Sequence, residues 1–231
     1  MHEELKYPLI HPDWKHFRVI HSKHPTRNLF SDDDLLNLAC NLKEGQTSSR
    51  LITTGAVPSL SPRDQYVLEE DIRTGHGWSA VMASFAYPRY GRYSTDASGA
   101  YYCANNIETA LKEWSYHTEK FWRDEMGFTN EVSAITRAYT GNFANSLLDV
   151  RDFPALHTND YTEPQALLVR ALHENQYGIL YNSVRNSSGG MCAALLRPPA
   201  TTTVKQYGHF ALMYDGHSFT NYSKLGPLKP L

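Results

Sequence analysis

The sequence predicts an α+β fold in which helices flank a mixed, largely antiparallel sheet. Short runs of aromatic and aliphatic residues recur between turn-forming Gly, Asn and Ser residues, a pattern typical of strands. Few stretches show the helical spacing of apolar residues, and turns rather than helices join most of the strand-like runs. The 231 residues, 41% of them hydrophobic and 20% charged, are enough for one globular domain with its own core.

Five runs are predicted to be strands: residues 17–20, 99–104, 177–184, 191–198 and 209–216. In the second run, alternation places Tyr102 on one face with Ala100 and Ala104, and places Tyr101 and Cys103 on the other. In the third run, Ser183 is expected on the face that carries Ile179 and Tyr181.

A helix is predicted over residues 107–122, because apolar residues recur at helical spacing and form a stripe for burial: Ile107, Ala110, Leu111 and Trp114. Asn105, with Glu108 three residues later, resembles a capping box at its start. Glu113 lies at the edge of the stripe, and His117 follows one turn later.

Two further helices are expected from their start signals. One begins near residues 31–34, where Ser31 precedes three aspartates. The other runs through residues 165–175, with Thr162 as its cap and Pro164 in its first turn.

The composition excludes several classes of protein. No run of about 18 apolar residues exists, and the N-terminus lacks a secretory pattern, so we expect a cytoplasmic protein without a membrane partner. The net charge of −2 disfavours direct nucleic-acid binding. The cysteines (Cys40, Cys103 and Cys192) are odd in number and far apart, as expected for reduced thiols.

Three apparent motifs fail on inspection. The G-x-G-x-x-A match at residues 75–80 follows a helix-like segment, whereas a dinucleotide-binding fingerprint follows a strand. The N-terminal histidines (His11, His16, His21 and His24) lack the spacing of a metal site, so we expect no metal. No G-x-S-x-G surrounds Ser183, so it is not predicted to be a hydrolase nucleophile.

Four residues are candidates for a site, although each alone is more often structural: Arg92, Tyr102, Glu113 and Ser183. Tyr102 follows Arg92 by ten residues, and Glu113 follows Tyr102 by eleven. Gly91–Arg92, the tyrosine of the second strand and the glutamate of Thr109-Ala110-Leu111-Lys112-Glu113 resemble the signature of the RES-domain family. Residues 178–185 with Gly189–Gly190 resemble its serine motif, Gln165 also fits, and residues 17–19 resemble its opening strand.

The resemblance implies a single RES domain over residues 1–231, with a core at about 17–217 and an insertion or extended segment at about 25–85. It implies a fold like that of the diphtheria-toxin-like ADP-ribosyltransferases. It also implies a bacterial toxin that cleaves the nicotinamide–ribose bond of NAD⁺, its substrate, and needs no further cofactor. The partner would be an Xre-like helix-turn-helix antitoxin.

The resemblance leads us to expect catalytic roles for Glu113, Arg92 and Ser183. Glu113 would stabilise positive charge on the ribose, and Arg92, assisted by Arg18, would hold the pyrophosphate. Tyr102 would stack on nicotinamide, and Ser183 would hydrogen-bond the ribose or the amide.

Several alternatives stay open. The acceptor of the ADP-ribosyl group is water, phosphate or a protein, which makes the enzyme a hydrolase or a transferase. The competing hypotheses are a non-catalytic nucleotide- or partner-binding module of the same fold, and an unrelated hydrolase.

Overall fold

The computed structural model describes residues 6–22 and 67–226. The helix start predicted at residues 31–34 lies outside the described residues, as does most of the insertion expected at about 25–85. Within the described residues, no helix combines the length and apolar composition needed to cross a membrane.

The described strands form one sheet: β1 (Leu9–Ile10), β2 (His16–His21), β3 (Tyr101–Ala104), β4 (Glu131–Gly141), β5 (Leu147–Asp149), β6 (Gly178–Asn182), β7 (Met191–Leu195), β8 (Lys205–Asp215) and β9 (Phe219–Leu225). Their order across the sheet is β1-β5-β6-β7-β3-β2-β4-β8-β9. The pair β5–β6 is parallel and the other described pairs are antiparallel. The predicted mixed, largely antiparallel sheet is therefore confirmed, whereas the diphtheria-toxin-like fold stays a prediction.

Three α-helices flank the sheet within the described residues: α1 (Ser79–Ala86), α2 (Ile107–Lys120) and α3 (Thr162–His173). A π-helical turn, Phe121–Glu125, follows α2 directly. Short 3-10 turns lie at Glu69–Asp71, Pro154–His157 and Pro198–Ala200.

Both predicted helix caps were wrong by one residue, because Asn106 and Tyr161 occupy the cap positions of α2 and α3. Asn106, not Asn105, caps α2: its side chain accepts a hydrogen bond from the Thr109 N–H, 2.8 Å away. Thr162 is the first residue of α3 rather than its cap, and the Asp160 carboxylate accepts hydrogen bonds from its N–H and hydroxyl. In each helix a short polar side chain accepts one free backbone N–H of the first turn, that of Thr109 in α2 and that of Thr162 in α3.

The alternation predicted for β3 is confirmed and defines the two faces of the sheet. Tyr102, Ala104 and Tyr181 pack on what we call the first face, together with Leu168 of α3. Tyr101, Cys103 and Leu180 pack on the second face, together with Val81 and Phe85 of α1.

The stripe predicted on α2 is also confirmed. Leu111 packs with Ala138 and Phe210 of the sheet, and Ile107 and Trp114 cover the edge of this cluster. Because the stripe lies against the sheet, Glu113 at its edge is half-buried rather than directed into solvent.

Candidate active site

The carboxylate of Glu113 and the hydroxyl of Ser183 meet at the end of β6. Ser183 follows this strand directly, and its Oγ donates a hydrogen bond of 2.6 Å to Glu113 Oε1. The two residues are 70 positions apart in the chain, and the neighbouring strands β6, β7 and β3 bring the end of β6 close to α2. The structure thus unites two of the predicted site residues.

The Ser183 hydroxyl is fixed in one orientation by its own surroundings. Its oxygen accepts hydrogen bonds from the backbone N–H groups of Arg185 (3.1 Å) and Asn186 (3.0 Å). A serine hydroxyl has one proton and two lone pairs, so all its hydrogen-bonding capacity is used. The proton is therefore directed at Glu113.

Cys192 provides a second donor to the same carboxylate oxygen. Its Sγ lies 3.7 Å from Glu113 Oε1. Burial, and then the charge of Glu113, raise the pKa of Cys192 well above its ordinary value, so the group is a thiol rather than a thiolate. Both donors bind Oε1, and no hydrogen bond from the described residues reaches Oε2 of Glu113.

The turn after Ser183 is tied to α2 by Asn186. The Asn186 side chain donates to Thr109 Oγ1 (2.8 Å) and accepts from Lys112 Nζ (3.1 Å). Gly190 closes the turn so tightly that a Cβ there would lie 2.8 Å from Thr109 Oγ1. This anchoring holds Ser183 against the helix that carries Glu113.

Arg92 is a buried cation with no counter-ion in the part of the chain that the structure describes. Its Nη1 donates to the Leu156 carbonyl (2.8 Å), and its guanidinium lies 4.9 Å from the ring centroid of Tyr161 and 5.8 Å from that of Tyr181. No carboxylate of the described residues pairs with Arg92, which is 7% exposed. A buried guanidinium held only by a carbonyl and aromatic faces is suited to bind an anion.

A tight turn from Gly91 to Ser94 presents Arg92, and Tyr102 supports this turn. Tyr102 Oη accepts from the Tyr93 N–H (2.8 Å) and lies 3.0 Å from Ser94 Oγ. Burial raises the pKa of Tyr102 to about 12, so its hydroxyl stays protonated. The predicted stacking of Tyr102 on nicotinamide stays a prediction, because the structure shows only its contact with the turn.

Gln165 and Gly91 complete the support of the turn. Gln165 Nε2 donates to the carbonyl groups of Gly91 and Ser94. A Cβ at Gly91 would lie 2.8 Å from Ser94 Oγ and 3.0 Å from Tyr102 Oη, so a larger residue would displace the turn. These contacts give a physical reason for the glycine before Arg92.

The charges of Glu113 and Arg92 both affect the pKa values of two neighbours, Tyr181 and His117. Burial is the main influence on both: it raises the pKa of Tyr181 and lowers that of His117. Beyond burial, Glu113 raises and Arg92 lowers the pKa of each group. An anionic and a cationic group therefore face one region of the first face.

The structure does not bring Arg18 together with the other predicted site residues. It pairs in register with Tyr139, its guanidinium lies 4.7 Å from the ring centroid of Tyr101, and its Nη1 donates to the Tyr102 carbonyl. These contacts place its side chain on the second face, because alternate residues of a strand point to opposite faces and Tyr101 lies on that face. The expectation that Arg18 assists Arg92 has no support in this geometry.

His157 links the ends of two site elements. Its Nε2 accepts a hydrogen bond from the Asn182 N–H (3.2 Å), the residue before Ser183, while the preceding Leu156 carbonyl holds Arg92. Burial, and then the charge of Arg92, lower the pKa of His157. The ring is therefore neutral near pH 7, as an acceptor nitrogen requires.

Sequence reasoning missed the supporting residues Asn186, Cys192, Leu156 and His157. Only Asn186, between the two parts of the serine motif, and Cys192, two residues after Gly190, lie next to a motif. Among the described residues, no cluster of three or more His, Cys, Asp or Glu side chains is arranged to hold a metal ion.

A family model described as RES domain matches residues 70–215, which include Arg92, Tyr102, Glu113 and Ser183 but not Arg18. Among solved structures, the chain is similar to the crystal structure of the M. tuberculosis MbcT–MbcA toxin–antitoxin complex, with 13% sequence identity and a TM-score of 0.43. That alignment covers 94% of this chain and 86% of the other. No curated protein matches the chain.

Proposed function

Because the chain belongs to the RES domain family, we propose that it is an enzyme that cleaves the nicotinamide–ribose bond of NAD⁺. One observation carries this proposal. Glu113, whose Oε1 is held by Ser183, faces the same region as the buried cation Arg92. Within the described residues, Glu113 Oε2 accepts no hydrogen bond and Arg92 has no counter-ion. NAD⁺ offers matching charges, since its ribose develops positive charge on cleavage and its pyrophosphate is anionic.

Glu113 would act on the ribose. Departure of nicotinamide leaves an oxocarbenium-like ring, and a carboxylate beside this ring stabilises charge that exists only in the transition state. The free Oε2 is the oxygen available for this contact, or for a hydrogen bond from a ribose hydroxyl. Nicotinamide leaves as a neutral molecule from a cationic precursor, so the site needs no general acid for it.

Ser183 and Cys192 would prepare Glu113 for this role. Their donors fix Oε1 before substrate arrives, so no reorganisation of the carboxylate is needed as charge develops. Ser183 has no free proton or lone pair for the ribose or the amide, so its contribution is to position Glu113.

Arg92 would hold the pyrophosphate, because a planar guanidinium matches phosphate oxygens. Tyr102 would contact nicotinamide with its ring while its hydroxyl supports the turn of Arg92. No cofactor besides the substrate NAD⁺ enters this scheme. The bond cleaved is the same whether the acceptor is water, phosphate or a protein side chain.

The family resemblance also supports a proposal for the role of this chain in the cell. The chain would be the toxin of a toxin–antitoxin pair, and an Xre-like helix-turn-helix protein would neutralise it by covering the active site. A diphtheria-toxin-like fold is part of the same proposal. Co-expression with the product of a neighbouring helix-turn-helix gene should restore growth that the toxin alone stops.

The experiment is nicotinamide release from NAD⁺ by the purified chain, with phosphate and cell extract supplied as acceptors. Glu113→Gln should lose turnover while it keeps its fold. Glu163→Gln is the matched control, because Glu163 is exposed in the first turn of α3. Release by both variants would remove Glu113 from the mechanism. Nucleotide binding without release by the wild type would instead favour a non-catalytic module.

A further inference from the structure

Arg185 is a second arginine at the same site, and it has no counter-ion among the described residues. Its backbone N–H donates to Ser183 Oγ, which fixes the residue next to the proposed catalytic group. Its Nη2 donates to Asn159 Oδ1 (2.6 Å), and its guanidinium lies 3.3 Å from the ring centroid of Tyr116 on α2. No carboxylate of the described residues pairs with it. The guanidinium is thus held in place by neutral groups, and no described carboxylate offsets its charge.

Arg185 and Arg92 are brought to one wall by a single loop, residues 158–161. Asn159 contacts Arg185, and Tyr161 contacts Arg92. Asn159 and Tyr161 are two positions apart, so their Cα atoms are separated by at most about 7 Å. The two arginines also act on one neighbour, since the charges of both lower the pKa of His117 beyond the lowering caused by burial.

Two cations that are held separately, Arg92 by Leu156 and Arg185 by Asn159, match an anion whose negative charges are also separated. A guanidinium has five N–H donors, and one hydrogen bond from each side chain, to Leu156 or Asn159, is seen within the described residues. Most of the donors are therefore available to a ligand. Two linked phosphates would let each arginine bind its own phosphate.

We infer that Arg185 is a second anion-binding residue of the site and that, with Arg92, it selects substrates with two linked phosphates over substrates with one. This inference rests on the proposed function for the identity of the substrate, but it concerns a residue and a selectivity that the proposed function does not contain. It predicts that the site prefers NAD⁺ to nicotinamide mononucleotide, and ADP to AMP.

The test measures the binding of ADP and of AMP by calorimetry, and nicotinamide release from NAD⁺ and from nicotinamide mononucleotide. Arg185→Gln should weaken ADP binding by roughly 10- to 150-fold, the range for a lost hydrogen-bonded charge contact, and change AMP binding far less. The preference for NAD⁺ should fall by a similar factor through KM, with kcat nearly unchanged. Arg123→Gln is the matched control, because Arg123 is exposed and paired with Asp124.

The outcomes separate this inference from the proposed function. Equal losses for ADP and AMP, or no loss for either, would overturn the role of Arg185 even if nicotinamide is released. A lost ADP preference in a protein that releases no nicotinamide would support the anion site and refute the reaction. If Arg185→Gln fails to fold, Arg185→Lys keeps the charge without the planar fork, and the ADP preference should fall by a smaller factor.

Discussion

Replacement of Ser183 by alanine tests whether this residue positions Glu113 or attacks the substrate. The substitution removes the 2.6 Å hydrogen bond to Glu113 Oε1. A hydrogen bond to a charged group contributes about 1.5–3 kcal/mol. If that contribution is realised in the transition state, kcat/KM should fall roughly 10- to 150-fold, since each 1.36 kcal/mol is tenfold in rate.

The same substitution should also lower stability. It leaves the N–H groups of Arg185 and Asn186 without their acceptor, and an unsatisfied buried donor costs about 1–3 kcal/mol. For a domain of this size, each kcal/mol lowers Tm by about 2–4 °C. Activity must therefore be compared at a temperature at which thermal melting shows the variant to be folded.

The assay is nicotinamide release from NAD⁺ by Ser183→Ala and by Ser188→Ala. Ser188 lies on the same turn and is exposed, so the control should keep both activity and Tm. Loss of a serine nucleophile lowers kcat by on the order of a millionfold. A loss of that size would show that Ser183 takes part in covalent chemistry, and unchanged activity would show that its hydrogen bond does not matter for the rate. Either result refutes the positioning role.

Two further predictions follow from the supporting residues. Folding lowers the pKa of His157, so the unfolded chain binds a proton first as the pH falls. The contribution of His157 to stability is therefore full above its unfolded-state pKa of about 6.5 and is lost as the pH falls towards its folded-state pKa. His157→Gln should flatten this dependence of stability on pH, measured by urea unfolding at several pH values. An unchanged slope in this variant would contradict the neutral-acceptor assignment. Gly91→Ala should destabilise the protein by about 1–3 kcal/mol and weaken substrate binding through Arg92, because the added Cβ would meet Ser94 Oγ and Tyr102 Oη. Gly226→Ala is the control: a Cβ there has open space, so neither Tm nor KM should change.

The parts of the fold that could be predicted from the sequence are those with a strong residue pattern. The α2 stripe and the alternation of β3 follow from the spacing of apolar residues, and both are confirmed. Strand β4 (Glu131–Gly141) was missed although it pairs along its length with β8. Its inward positions carry small residues such as Ala134, Thr136 and Ala138, and these give little hydrophobic contrast with their neighbours.

The caps show a limit of a different kind. Asn105 and Asn106 have the same side chain, so the pattern could not decide which of them accepts the Thr109 N–H. The structure assigns Asn106 to the cap and uses Asn105 Oδ1 to accept from the Met191 N–H of β7 (3.1 Å). Tertiary contact with a strand 86 residues away decided between two equivalent local choices.

The candidate site, too, has residues that the sequence predicts and one that it does not place. The order and spacing of Arg92, Tyr102, Glu113 and Ser183 were sufficient to propose it, and the structure joins Glu113 to Ser183 and Tyr102 to the turn of Arg92. Arg18 lies in the run that resembles the opening strand of the family, but this resemblance does not indicate which face its side chain occupies. Its register with Tyr139 directs it to the second face, which no motif spacing could have shown.

The backbone groups that hold Arg92 and orient the Ser183 hydroxyl could not be predicted from the sequence. Arg92 is held by the carbonyl of Leu156, and the proton of Ser183 is directed by the N–H groups of Arg185 and Asn186. Every residue but proline carries these backbone groups, so no residue type marks them. A substitution at Leu156 that keeps the backbone in place should therefore leave Arg92 bound, whereas displacement of the Pro154–His157 turn should disturb Arg92 and, through His157, the end of β6 as well. The site is thus sensitive to the path of the chain at positions where it tolerates changes of side chain.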